Sequence, residues 1–193
     1  MSKLSNYKSK APEFQKLPEG AHGVRLVSYK ETDSFHNYDG SLKEKLPAYV
    51  NACEQLAITV VSLSGKGGMT HRLNLEGYPK FSELTDAEVQ SGKFTDVNGY
   101  ACAMNKATGK LERISDPIRT ATCENILDQF FSAIGMKEGS GIDALDTAIA
   151  EHYPMDIVVT NEPYDGADQF RITRFRKATV VTAEKAGAID ISA

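Results

Sequence analysis

Residues 54–75 read EQLAITVVSLSGKGGMTHRLNL, and the fold class turns on them. The stretch 54–63 is an uninterrupted run rich in β-branched residues, which fits a strand. The stretch 69–75 alternates strictly, with His71, Leu73 and Leu75 on one face and Thr70, Arg72 and Asn74 on the other. A period of two marks a strand with one buried and one exposed face. Between the two, SGKGG (64–68) supplies the glycines of a tight turn. The pair reads as a β-hairpin, so the middle of the chain is β-structure.

Working towards the N-terminus, the hairpin is preceded by a long polar loop that carries Phe35, His36 and Tyr38 and runs to about residue 51. Before it, GVRLVSY (23–29) alternates Val24 and Leu26 with Arg25 and Val27, a second half-buried strand, entered from the turn LPEG at 17–20. Towards the C-terminus, 79–118 is less regular. A short helix is expected over 82–90, and a small hairpin pairs 99–104 with 110–114 around NKATG (105–109). Asp116 followed by Pro117 starts a helix, with a capping side chain and a proline at the first helical position. Ile126, Leu127, Phe130, Phe131 and Ile134 form its apolar stripe and Gly135 ends it. A second short helix begins near Ser140, with Ile142, Leu145 and Ile149 on one side. The chain then returns to β: a strand at 155–160, a turn at 161–166, and a basic strand at 169–178.

No regular strand–helix alternation is present, which argues against a parallel doubly wound sheet. Five principal strands with a helical connection between the third and fourth follow the OB plan. The expected fold class is therefore mainly β with helices (α+β): a five-stranded OB-type Greek-key barrel with an inserted hairpin at about 79–118. The expected organisation is a flexible arm over 1–16, one domain over 17–182 and a frayed tail over 183–193.

Composition bounds the function classes. At 41% hydrophobic and 25% charged, 193 residues can bury a sizeable core without disulfides or metal. No apolar run approaches the roughly 18 residues of a membrane span, and the first 20 residues hold no apolar core of a secretory signal. Three scattered cysteines, Cys53, Cys102 and Cys123, fit reduced thiols in a cytoplasm. The net charge of −4 does not itself point to nucleic acid, although a local basic groove is compatible with it.

No catalytic constellation is legible. SGKGGMT (64–70) lacks the spacing of a phosphate loop, and a strand rather than a helix follows it. His22, His36, His71 and His152 are scattered, and no His or Cys pair has metal-ligand spacing. The Asp143/Asp146 pair reads as a solvated helix face, and no nucleophile elbow occurs. The expectation is a protein that is not an enzyme, with no catalytic residues, no metal and no cofactor.

The polar strand faces are more informative. Arg25, Thr59, Arg72 and Asn74 project opposite the apolar alternation. On the last strand Arg171, Arg174, Arg176 and Lys177 surround Phe170, Ile172 and Phe175. Sequence-tolerant binding of single strands uses cations for phosphates and rings for bases. The candidate nucleic-acid-binding residues are therefore Arg25, Tyr29, Tyr38, Lys66, Arg72, Arg171 and Arg174. Alternation slips near Arg174, where a bulge would re-aim side chains.

Three stretches carry a family resemblance: LPEG with VRLV (17–27), FFSAIG (130–135), and DIVVT to FRITRFRK (156–177). On them the chain resembles a family of phage-encoded OB-fold proteins regarded as single-stranded-DNA-binding proteins. The resemblance implies DNA replication or recombination in the cytoplasm of a bacterial host, with single-stranded DNA and replication or recombination proteins as partners. The C-terminal AIDISA (188–193) holds one acid, unlike the acidic tail of bacterial single-strand-binding proteins, so recruitment through such a tail is not implied. The alternative is a protein-interaction or oligomerisation module on the same barrel, without nucleic-acid binding. The oligomeric state, a homo-oligomer included, stays open.

Overall fold

The computed structural model describes residues 15–136, 140–163 and 166–179. The turn residues 164 and 165, most of the expected arm and the expected tail lie outside the described residues. The fold is mixed α+β, mostly antiparallel strands with few helices.

The main sheet has five strands. They are β1 (Gly20–Asp33), β2 (Glu54–Ser62), β3 (Gly68–Asn74), β7 (Pro154–Asn161) and β8 (Phe170–Lys177), in the order β3-β2-β1-β7-β8. Within it, β7-β1-β2-β3 is the 4-1-2-3 order of a Greek key. Every hydrogen-bonded pair is antiparallel. The β2–β3 hairpin forms as the alternation requires, with His71 opposite Ile58 and Arg72 opposite Ala57.

A second, three-stranded sheet fills the insertion: β4 (Thr95–Val97), β5 (Tyr100–Asn105) and β6 (Lys110–Arg113). The β5–β6 hairpin is the expected one. The expected helix over 82–90 is split into a 3-10 turn, Phe81–Glu83, and α1 (Asp86–Gln90). Thr85 caps α1: its hydroxyl accepts from the Glu88 amide while the Glu88 carboxylate takes the Thr85 amide.

Helix α2 (Pro117–Ala133) starts where the Asp116–Pro117 signal places it, with the Asp116 carboxylate accepting from the Arg119 amide at 2.8 Å. Gly135, at φ 76°, follows the helix end in the left-handed region. Helix α3 is Ala144–Ala150. The inner sheet face and the two helices enclose one core, with Val24, Leu26, Ile58, Val60, Phe130, Leu145, Ile157 and Phe175 buried in it. Phe130 lies 5.3 Å from the Phe175 ring and 5.4 Å from that of Phe131, seating α2 on β8.

Two expectations need correction. The sheet does not close into a barrel: β3 and β8 are its two edges and no pairing joins them among the described residues. The β3 edge is instead met at its start by the chain before β1. The Gly68 amide donates to the Gln15 carbonyl at 3.0 Å, and Lys16 bridges Gly68 in parallel. The face of Tyr29 is also reversed from simple alternation. Between Leu26 and Ser28 the register shifts, leaving Val27 unopposed, so Tyr29 lies opposite the buried Ile58 on the inner side. The slip expected near Arg174 is present: Val159 faces Ile172 and Val158 faces Arg174, leaving Thr173 as the extra residue.

Candidate nucleic-acid interface

Three clefts of about 550, 530 and 310 Å³ meet on the outer side of the main sheet. All three are lined by Tyr38 and Thr70, so they form one groove. Its floor is the outer row of β1, β2 and β3, including Lys30, Thr59, Thr70 and Arg72. One wall is the loop after β1, with Tyr38 and Lys43. The other is the approach to β8, where Gln169, Phe170 and Arg171 face β3 across the unpaired seam.

The loop is held in place by its own polar residues. Asp33 accepts the Phe35 amide at 2.7 Å, the His36 amide at 3.1 Å and His36 Nδ1 at 2.8 Å. Burial works against the Asp33 carboxylate, but these bonds prevail and hold it below its ordinary value. Arg72 fastens the loop to the sheet. Its Nη1 donates to the Asp33 carbonyl and to Gln55 Oε1, each at 3.0 Å, and its Nη2 to the His36 carbonyl at 2.8 Å. The same guanidinium lies 4.3 Å from the centre of the Tyr38 ring. Tyr38 is nevertheless 57% exposed, a ring supported on one side and open on the other.

Charge in the groove is one-sided. Lys16, Lys30, Lys43, Arg72 and Arg171 line it, against one carboxylate, Asp168. Lys43 Nζ donates to the Ser34 carbonyl at 2.7 Å. Burial first and the nearby Arg72 second push its ammonium below its ordinary value, with Asp33 opposing. His71 sits at the seam on the inner side of β3, and burial, then Arg171, pushes it down to about 4. It is therefore uncharged at neutral pH.

The sequence-derived candidates divide. Tyr38, Arg72 and Arg171 line the groove. Arg72 acts there mainly as an anchor for the loop. Arg171 is shared, with Gln169 Oε1 at 2.8 Å and the Glu162 carboxylate at 3.4 Å. Tyr29 touches the groove edge, but its ring packs on the core and its phenol is pushed up by burial and then by the nearby Asp146 carboxylate. Arg25, Lys66 and Arg174 line none of the three clefts. Arg25 Nη1 meets His152 Nδ1 at 2.8 Å, Lys66 is exposed at the hairpin tip, and Arg174 is exposed on β8.

Lys16, Lys30 and Lys43 were not singled out by the sequence. Lys30 faces the groove only because of the Val27 bulge, which parity conceals. Lys43 follows the aromatic part of the loop, and that position was the available signal. Among the described residues, no three His, Cys, Asp or Glu side chains gather as a metal site, and no helix is long and apolar enough to cross a membrane. Compared with known proteins, the chain matches no family model and no curated sequence.

Proposed function

We propose that the chain binds single-stranded DNA, without sequence preference, along this groove, in the manner of proteins that cover single strands during phage-type replication or recombination. The observation that carries the reading is the charge count: five cations and one carboxylate line the groove of a chain whose net charge is −4. Cations concentrated in a cleft focus an attractive field that the net charge does not reveal. Tyr38 supplies an open ring for a base, and base–ring stacking needs no particular sequence.

The strand order supports the same reading. Greek-key order, a fifth strand beyond β7 and helices between the third and fourth main strands correspond to an OB-type sheet with its closing pair left open. OB folds take oligonucleotides on the face of strands 2 and 3 and in the loops after strands 1 and 4. The groove occupies that position. Its mechanism is protective occupancy, with phosphates on the lysines and no covalent step.

Fluorescence anisotropy with labelled oligo-dT, oligo-rU and duplex DNA across a salt series tests the reading. The expected result is tight, salt-sensitive binding of oligo-dT and weak binding of duplex. No affinity for oligo-dT at low salt would overturn it and bring the protein-interaction alternative forward.

A further inference from the structure

Arg113, at the end of β6, is 6% exposed. Three tyrosine rings surround its guanidinium, with centres at 3.9 Å (Tyr78), 4.5 Å (Tyr49) and 5.3 Å (Tyr100). Its Nη2 donates to the Asn51 carbonyl at 2.9 Å. The Asn51 side chain in turn bonds the Arg113 amide at 2.7 Å and carbonyl at 3.0 Å, tying the insertion to the loop after β1.

The charge itself makes no direct ion pair among the described residues. Arginine stays protonated in proteins. Among the described residues no carboxylate pairs with Arg113, Nε is buried without a partner, and Nη1 makes no hydrogen bond. Burying a cation without a counter-charge is costly, and rings offset only part of that cost.

This guanidinium lines a cleft of about 300 Å³ that shares Ser34, Gln55, Asn74 and Tyr100 with the groove. The cleft therefore continues the groove into the insertion. Arg119, also on its wall, is paired with Glu83 at 2.9 Å. Glu76 is the one acid on the wall, and the Tyr78 hydroxyl is hydrogen-bonded to its carboxylate.

We propose that the cleft receives one phosphate of the strand that lies in the groove, on the Nη1 edge of Arg113, with Tyr100 at the junction of cleft and groove. The inference rests on the groove reading. It makes the inserted sheet part of the binding site: the strand passes Tyr38, crosses the outer ends of β2 and β3, and ends against β6. The tyrosines fix the plane of the guanidinium in advance, so little side-chain order is lost on binding.

The test uses the full chain and oligo-dT of increasing length, with single charged linkages replaced in turn by neutral methylphosphonates. In the wild type, besides the linkages seated on the groove lysines, one further linkage near one end of a long strand is expected to matter, its neutralisation flattening the salt slope by about 0.7. In Arg113→Met the same neutralisation costs nothing, and oligonucleotides too short to leave the groove bind as they do to wild type. Thr122→Glu, an exposed change on the cleft wall, places a carboxylate there and weakens long strands selectively even where Arg113→Met fails to fold. Long strands that bind Thr122→Glu or folded Arg113→Met with wild-type affinity and slope overturn this inference and leave the groove reading standing. A wild type that binds no strand overturns both.

Discussion

Tyr38 and Arg72 act as a unit. The guanidinium bonds the Asp33 carbonyl at the end of β1 and the His36 carbonyl in the loop and supports the ring, so removing either side chain removes the same stacking platform. Tyr38→Ala is expected to cost about 1–3 kcal/mol of single-strand affinity with little change in salt slope. Arg72→Lys keeps the charge but loses the fork, and is expected to cost a similar amount. The double variant should then be no worse than the poorer single one, because the effects share a cause. Additive losses in oligo-dT titrations would separate the two residues. His71 behaves differently, as a half-buried neutral base. Its ordinary value is 6.5 and its folded value about 4, so the unfolded chain binds the proton more readily between those limits. Stability is therefore full above pH 6.5 and falls as pH drops towards 4, by up to about 3 kcal/mol. Asp33, held below 3.8, loses its contribution only at lower pH still. Thermal unfolding from pH 7 to pH 4 checks this, and His71→Leu should flatten the dependence.

At the scale of elements, the insertion is anchored at Gly77. The Gly77 amide donates to Thr120 Oγ1 at 3.1 Å, and its carbonyl accepts the Asp116 amide at 2.9 Å. A Cβ at Gly77 would collide with the backbone of Arg119 in the first turn of α2. Gly77→Ala is therefore expected to destabilise by about 1–3 kcal/mol, as overpacking does. It should also weaken strands long enough to reach the neighbouring cleft more than short ones, which a denaturation curve and a length series would read together. Elements written in local pattern were legible in advance: the hairpin at 54–75, the α2 stripe, the Asp116 cap and the basic last strand. Features that depend on partners were not. The Val27 bulge is set by how β1 meets β2, and it reverses the facing of Tyr29 and Lys30 at once. The β3 edge is met at Gly68 by Gln15, a contact no periodicity encodes. β4 was missed because three residues, Thr95–Val97, are too few to show alternation. The buried Arg113 was hidden for a related reason, since its cage gathers Tyr49, Tyr78 and Tyr100 from three separate segments.

Across the whole molecule, the net charge of −4 and the basic groove are compatible because the two signs are separated in space. That separation makes a prediction about which cations matter, and it differs from the one drawn from strand parity. Binding releases counterions only from phosphates that are neutralised, at about 0.7 in the salt slope per phosphate on a single strand. Lys30 and Lys43 face the groove, so Lys30→Ala and Lys43→Ala should each lower affinity for every sequence alike and flatten the slope by about that amount. Arg25, Lys66 and Arg174 stand off the groove, and their alanine variants should leave the slope where it was. Arg25→Ala should instead lose about 1 kcal/mol of stability with its bond to His152. Arg171, half-committed to Glu162, should fall between the two groups. Anisotropy titrations of the six variants from 50 to about 300 mM salt decide the matter, in a range where a slope change of 0.7 is resolved. If Arg25→Ala and Arg174→Ala flatten the slope while Lys30→Ala and Lys43→Ala do not, the strand crosses the face of β1, β7 and β8, and the groove is not its path.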